Sequence, residues 1–219
     1  MISQRNQSNL ISLARHLRLQ FLTPTSLQAC SDPILRTARF PETPPYGGVH
    51  DEGGIDFEKL EEWRREHGGG IAGFAGSRDV SNAELLELPC DVLVLAATEN
   101  QVTGQNAGNV QAKLVAEGAN GPTSLEGDEI LAARGIPVLP DILTNAGGVA
   151  VSYFEWVQDI QRLFWGPQEI RSRLADLMAD ALSRVWELSE SESLPFRRAA
   201  LVTSIREVAD ALEARGIHP

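Results

Sequence analysis

Three segments of this chain place small and amide-bearing residues directly after short apolar runs. Ala96-Ala97-Thr98-Glu99-Asn100 follows one run, Glu117-Gly118-Ala119-Asn120-Gly121-Pro122-Thr123 a second, and residues 141–148 a third. If the runs are strands of an open parallel sheet, all three turns lie at its carboxyl edge, where such sheets bind ligands. Gly118 and Gly121 flank Asn120 and let a flat ligand approach the backbone, and the Asn120 amide both donates and accepts, as a carboxamide-bearing ring requires. Asparagine is also a common turn residue, so Asn120 taken alone reads first as a turn, and it is the convergence of three such turns on one edge that points to a site. Thr144 and Asn145 stand where a helix N-cap belongs. Ser152 lies inside that helix, where its hydroxyl either bonds back to the preceding turn or is offered to a carboxylate. Glu155 and Asp159 read as a solvated or interface face, and Trp156, Trp165 and Trp186 as core or interface.

The elements that must position these residues follow from the apolar pattern. Residues 91–97, 113–117 and 136–139 read as short buried strands, with helices expected over 56–67, 106–110 and 124–134, the last stopped by Gly135. Strand and helix in alternation give an α/β class with a parallel sheet. Val149, Tyr153, Val157, Ile160 and Phe164 then repeat at helical spacing, Gly166-Pro167 breaks the run, and residues 169–189 and 195–214 supply two further helices. The expected fold is therefore an incomplete Rossmann-like parallel sheet over residues 47–219, with a C-terminal helical segment at about 149–215.

Charge sets the opening segment apart. Residues 1–46 carry five arginines and two acids, a balance of +3, whereas the remainder carries 14 basic and 28 acidic residues. Five of the 12 prolines also lie in this leader, and only residues 9–22 have the pattern of a short amphipathic helix. An atypical leader, disordered or non-native, is expected there. Over all 219 residues the net charge is −11, which disfavours nucleic acid and anionic membrane surfaces as partners. Two cysteines, four scattered histidines and no long apolar run point to a reduced, cytoplasmic protein without a metal site or membrane span.

Gly68-Gly69-Gly70-Ile71-Ala72-Gly73 satisfies G-x-G-x-x-G literally. A dinucleotide fingerprint must leave a strand and open a helix, whereas this tract follows a polar helix, so it reads as a helix C-cap and turn.

The motifs in order, residues 90–101, Val115-Ala116-Glu117-Gly118-Ala119-Asn120-Gly121-Pro122-Thr123, and residues 145–156 with Asn145-Ala146-Gly147-Gly148 and Ser152-Tyr153-Phe154-Glu155-Trp156, closely resemble the glutamate dehydrogenase family. The resemblance runs from about Gly47 to the C-terminus and corresponds to the later part of that family's NAD(P)-binding domain. It implies that Ala97, Thr98 and Asn120 line NAD or NADP, with Asn145 nearby, and that Val149 and Ser152 meet the substrate side chain, Ser152 hydrogen-bonding the distal carboxylate of glutamate; residues 1–46 do not resemble the family's first βαβ unit with its glycine loop, so cofactor binding is expected to be weakened or lost. The implied reaction is oxidative deamination of glutamate to 2-oxoglutarate and ammonia.

The family's catalytic lysine and aspartate belong to an N-terminal substrate domain with no counterpart here, so no catalytic residue is assigned. Lys59, in a polar helix, and Lys113, at the start of a strand, are the chain's two lysines, and neither is placed to substitute. Two accounts of the leader stand side by side: a frameshift or misplaced start joined to a dehydrogenase tail, or a short form that binds itself or a full-length paralogue. In either case the chain alone is expected to be inactive, and the helical tail, with Trp165, Leu174, Leu177, Trp186 and Leu188, is expected to be exposed.

Overall fold

The computed structural model describes residues 37–39 and 47–216. Other residues of the leader, including the expected helix at 9–22, lie outside the described residues. The chain divides into two compact units, one running to Asp91 and including Asn109–Gln111, the other comprising Val92–Gly108 and the chain from Ala112.

The first unit contains β1 (Thr37–Arg39), β2 (Gly47–His50), α1 (Phe57–Glu66), β3 (Arg78–Ser81) and α2 (Asn82–Glu87). Its sheet runs β1-β2-β3 and is antiparallel throughout, with Val49 opposite Ala38 on one side and Asp79 on the other. This sheet was not expected from the sequence. The segments Gly-Gly-Val-His and Arg-Asp-Val-Ser each carry one apolar residue, too few to show an alternation. Val49, Ile55, Leu60, Ile71 and Phe74 form the core, with Phe57 and Trp63 packed against it.

Asp56 caps α1 by accepting from the Lys59 amide at 3.2 Å, and the His67 ring stacks on Trp63 with centroids 3.7 Å apart. The glycine tract is the helix terminus that its context demands. Gly69, at φ 92°, donates to the Arg64 carbonyl at 2.8 Å, a positive-φ turn that glycine adopts without penalty.

The second unit is the α/β part, with β4 (Cys90–Leu95) from Val92 onward, β5 (Ala112–Glu117), α3 (Leu125–Ala133), β6 (Val138–Leu139), α4 (Asp141–Thr144), α5 (Gly147–Gln161), α6 (Pro167–Glu192) and α7 (Phe196–Arg215). The three strands form a parallel sheet in the order β4-β5-β6, Val115 facing Val138 and Ala116 facing Leu139. Ser124 caps α3 by accepting from Gly127, and Gly135 follows the helix end as expected. At Gly127 an added Cβ would lie 2.9 Å from the Val102 carbonyl oxygen, so the first turn of α3 packs directly on backbone.

Residues 106–110 form turns, not the expected helix. The Asn106 side chain accepts from the Thr103 amide and donates to the Gln101 carbonyl, each at 2.8 Å, and so supplies partners that helix backbone would otherwise provide.

Proline at the start of α6 and the left-handed Arg162 at the end of α5 realise the break at Gly166-Pro167. Leu143, Val185, Ala199 and Ala200 form a buried cluster with Leu182, Leu188, Leu194 and Phe196 beside it. The stripe on α5 has the opposite fate. Ala150 and Phe154 are buried, whereas Val149, Tyr153, Ile160 and Phe164 of the stripe are exposed, Phe164 at 97%, Val157 is half-buried, and Trp156 is exposed beside them. In the tail, Trp165, Leu174, Trp186 and Leu188 are half-buried and Leu177 is exposed, so the expected exposure falls mainly on other residues, including Leu201, Ile205, Val208 and Leu212 of α7. Among the described residues no helix is long and apolar enough to cross a membrane.

Candidate functional site

At the end of β5 the chain turns over the end of β4. Gly118 and Ala119 both donate backbone N–H to the Leu95 carbonyl, at 2.9 and 2.8 Å. A Cβ at Gly118 would lie 3.0 Å from the Ala96 methyl, so this crossing requires glycine or a shifted neighbour. Gly121, at φ 56°, reverses the chain, and its carbonyl accepts from the Asn100 amide at 3.0 Å. The buried Pro122 then leads into α3. Asn120 is thus presented on a turn held at both ends by the neighbouring strand and loop.

The third segment comes to the same place from β6. Asp141 opens α4, donating its backbone N–H to Glu117 Oε2 at 2.9 Å and accepting the Gly121 N–H on Oδ2 at 2.8 Å. Asn145 ends that short helix, its amide N–H bonded to the Asp141 carbonyl at 3.0 Å. Its side chain is therefore not the cap of α5: Nδ2 donates to Asn120 Oδ1 at 2.6 Å. Thr144 is buried and bonds back to the Leu139 carbonyl at 3.2 Å, so it too caps nothing.

An open cleft of about 480 Å³ is lined by Gly118, Ala119, Asn120, Asn145, Gly148, Val149 and Ser152. Four of the six residues singled out in the sequence, Asn120, Asn145, Val149 and Ser152, therefore meet in one place. Val149 is 77% exposed there, and Ser152 donates to the Gly148 carbonyl at 3.2 Å, the helical back-bond. Ala97 and Thr98 are not among the lining residues, and the Thr98 hydroxyl accepts from Gln101 Nε2 at 2.7 Å.

Behind the lining stands a charged group that sequence reasoning missed. Glu117 is fully buried, and Arg197 Nη2 donates to its Oε1 at 2.7 Å. The same guanidinium reaches Asp128 at 3.2 Å and Asp141 at 3.7 Å. Burial by itself would weaken the Arg197 charge, but its hydrogen bonds to Glu117 and Asp128 outweigh that and raise its pKa above the usual arginine range. No spacing rule could have paired residues 117 and 197; the one signal was an acid at the end of an apolar strand, which demands a counter-charge.

None of the lining side chains is an acid or a base, so the cleft can hydrogen-bond and enclose a flat polar ligand but supplies no proton-transfer group. Among the described residues no cluster of His, Cys, Asp and Glu is arranged to hold a metal ion.

The fold is that of an open α/β protein, a class that binds its ligands beyond the carboxyl ends of the parallel strands, where this cleft of amides and glycines lies. The Glutamate/Leucine/Phenylalanine/Valine dehydrogenase family matches residues 44–216, and the chain belongs to that family. It is 47% identical to the glutamate dehydrogenase of Thermotoga maritima over 173 residues, covering 79% of this chain and 41% of that protein. It is 43% identical to the cryptic catabolic NAD-specific glutamate dehydrogenase of Bacillus subtilis, covering 78% of this chain and 40% of the relative. The NADP-specific glutamate dehydrogenase of a Synechocystis species is 40% identical, with 78% and 42% covered. Among solved structures, the hetero-hexameric glutamate dehydrogenase of Thermus thermophilus in its Leu-bound form superposes with a TM-score of 0.72 at 33% identity, over 79% of this chain and 40% of that one. The chain thus spans about two fifths of the length of the relatives it matches.

Proposed function

We propose that this chain is the cofactor-facing part of an NAD(P)-dependent glutamate dehydrogenase, and that its cleft receives the nicotinamide end of the cofactor. The observation that carries this reading is the Asn145–Asn120 hydrogen bond at 2.6 Å in a cleft otherwise made of small residues. Asn120 and Asn145 would hold the carboxamide, Gly118 and Ala119 would let the ring approach the backbone, and Ala97 and Thr98 would lie along the rest of the cofactor. Val149 and Ser152 would bound the pocket for the amino-acid side chain, Ser152 facing the distal carboxylate of glutamate. Bound nicotinamide would supply the hydride acceptor. The chain's own residues would bind and orient it.

The 219-residue chain by itself is proposed to bind cofactor weakly and not to turn over glutamate. The cleft lining has no general acid or base, and Lys59 is occupied with Asp56 at 3.0 Å on α1 of the first unit. Fluorescence titration of the purified chain with NADH and NADPH tests the binding, and glutamate with either oxidised cofactor tests turnover. Saturable binding without reduction is expected. Absence of binding removes the cofactor reading, and robust turnover removes the claim of inactivity.

A second reading, a non-catalytic partner of itself or of a full-length dehydrogenase, is favoured by the exposed Val149, Tyr153, Trp156, Ile160 and Phe164. Light scattering tests it. A monodisperse monomer that does not bind a full-length paralogue removes it.

A further inference from the structure

Arg197 lies in the first turn of α7, 80 residues beyond Glu117, and lines no part of the cleft. It nevertheless contacts both segments that build it. Glu117 immediately precedes Gly118, and Asp141 begins the short helix that ends at Asn145.

Glu117 uses both carboxylate oxygens: Oε1 accepts from Arg197 at 2.7 Å and Oε2 accepts the Asp141 backbone N–H at 2.9 Å. Asp141 passes the constraint on, because its Oδ2 accepts the Gly121 N–H at 2.8 Å on the far side of Asn120. The planar guanidinium thus faces Glu117, Asp128 and Asp141 from one position, with its side chain 21% exposed. A fork of five donors can serve three carboxylates at once, whereas an ammonium is a single point charge that cannot span them in the same geometry.

We propose that Arg197 is a positioning residue for the cleft: through Glu117 and Asp141 it holds the turn of residues 118–121, and with it the Asn120–Asn145 pair, in ligand-ready geometry. The proposal makes the last helix a structural determinant of the site at the sheet edge. It rests on the nicotinamide reading of the cleft only in the binding part of its test.

The test compares the full chain with Arg197→Lys and Arg197→Met. Lysine retains the charge that buried Glu117 requires, so the fold is kept while the fork is lost. Hydrogen exchange is read at the amides of residues 118–121 and, as an internal reference, over α6 and the middle of α7. The expected result for Arg197→Lys is about tenfold faster exchange at 118–121 with unchanged protection in the reference helices, the size of effect that one weakened charge-assisted hydrogen bond produces. Arg197→Met, where it folds, is expected to go further in the same direction. Unchanged exchange at 118–121 in Arg197→Lys overturns the proposal, as does a uniform loss of protection, which marks a merely structural role.

In parallel, NADH affinity is measured by fluorescence. A Kd raised by about tenfold in Arg197→Lys, in step with the exchange, supports positioning. A wild-type Kd in a variant whose turn exchanges faster overturns it. If the unsubstituted chain binds no NADH, the cofactor reading fails, and hydrogen exchange alone decides the role of Arg197.

Discussion

Asn145 donates its side-chain amide to Asn120 Oδ1 at 2.6 Å, although they stand 25 positions apart in the chain with two helices and a strand between them. The bond has a chemical consequence. With one lone pair of its carbonyl oxygen taken by Asn145, Asn120 turns its NH2 end to the ligand as donor, which favours an acceptor group set against it.

Replacing Asn145 by Ala should weaken NADH binding between about twofold and tenfold, the net worth of one hydrogen bond. Asn120→Asp should weaken it more, because a carboxylate presents no donor at all. Fluorescence titration reads both, and thermal unfolding within a few degrees of the unsubstituted chain would show that the effect belongs to the site. NADH affinity unchanged in Asn120→Asp would remove Asn120 from the binding group.

Backbone geometry makes two glycines sensitive. Gly121→Ala places a Cβ at φ 56° and should cost about 1–2 kcal/mol. Gly118→Val adds bulk where even a Cβ would stand 3.0 Å from the Ala96 methyl, and should cost about 1–3 kcal/mol by overpacking. Urea unfolding of the second unit measures both, and a neutral Gly118→Val would mean that the ends of β4 and β5 have room to part.

Cys90 should be a slow nucleophile. Burial, helped by the nearby Asp91 carboxylate, pushes its thiol pKa upward, so less thiolate is present at neutral pH than for an exposed cysteine. Alkylation of Cys90 followed by mass spectrometry should show a rate midpoint above the ordinary thiol value of about 8.5. A midpoint at or below that value would contradict the burial argument.

The first unit carries a pH-sensitive cap. Ser81 Oγ accepts from the Glu84 amide at 3.2 Å, while Glu84 Oε2 accepts from the Ser81 amide and hydroxyl, each at 2.8 Å. Bonds from the Ser81 backbone and then its side chain hold the Glu84 carboxyl below the usual range. A depressed folded pKa means that the stabilisation is present above the unfolded value of about 4.3 and is lost as pH falls through the folded one. Ser81→Ala should cost about 1 kcal/mol at neutral pH. Glu84→Gln should flatten the acid limb of the stability profile, and an unaltered limb would show that the cap carries no pH dependence.

What could be read in the sequence were features written in local order. Apolar runs marked the three parallel strands, Ser124 and Gly135 bracketed α3, and Gly166-Pro167 marked the break before α6, because periodicity, capping and the missing proline donor act over a few residues. The three motifs carried the family resemblance, and the turns after the strands carried Asn120 and Asn145, with Val149 and Ser152 on the helix that follows, into one cleft. The antiparallel sheet of the first unit was invisible because its strands are too short and polar to alternate. The turns at residues 106–110 escaped because the Asn106 side chain, not backbone propensity, decides them. Tertiary structure alone could decide which partner a buried charge would find. Glu117 ends an apolar strand and must be neutralised, but its arginine lies 80 residues away, and only the packing of the last helix brings Arg197 to it. Counter-charge is a demand that sequence states locally; its answer is a contact across the fold, set by which helix packs where.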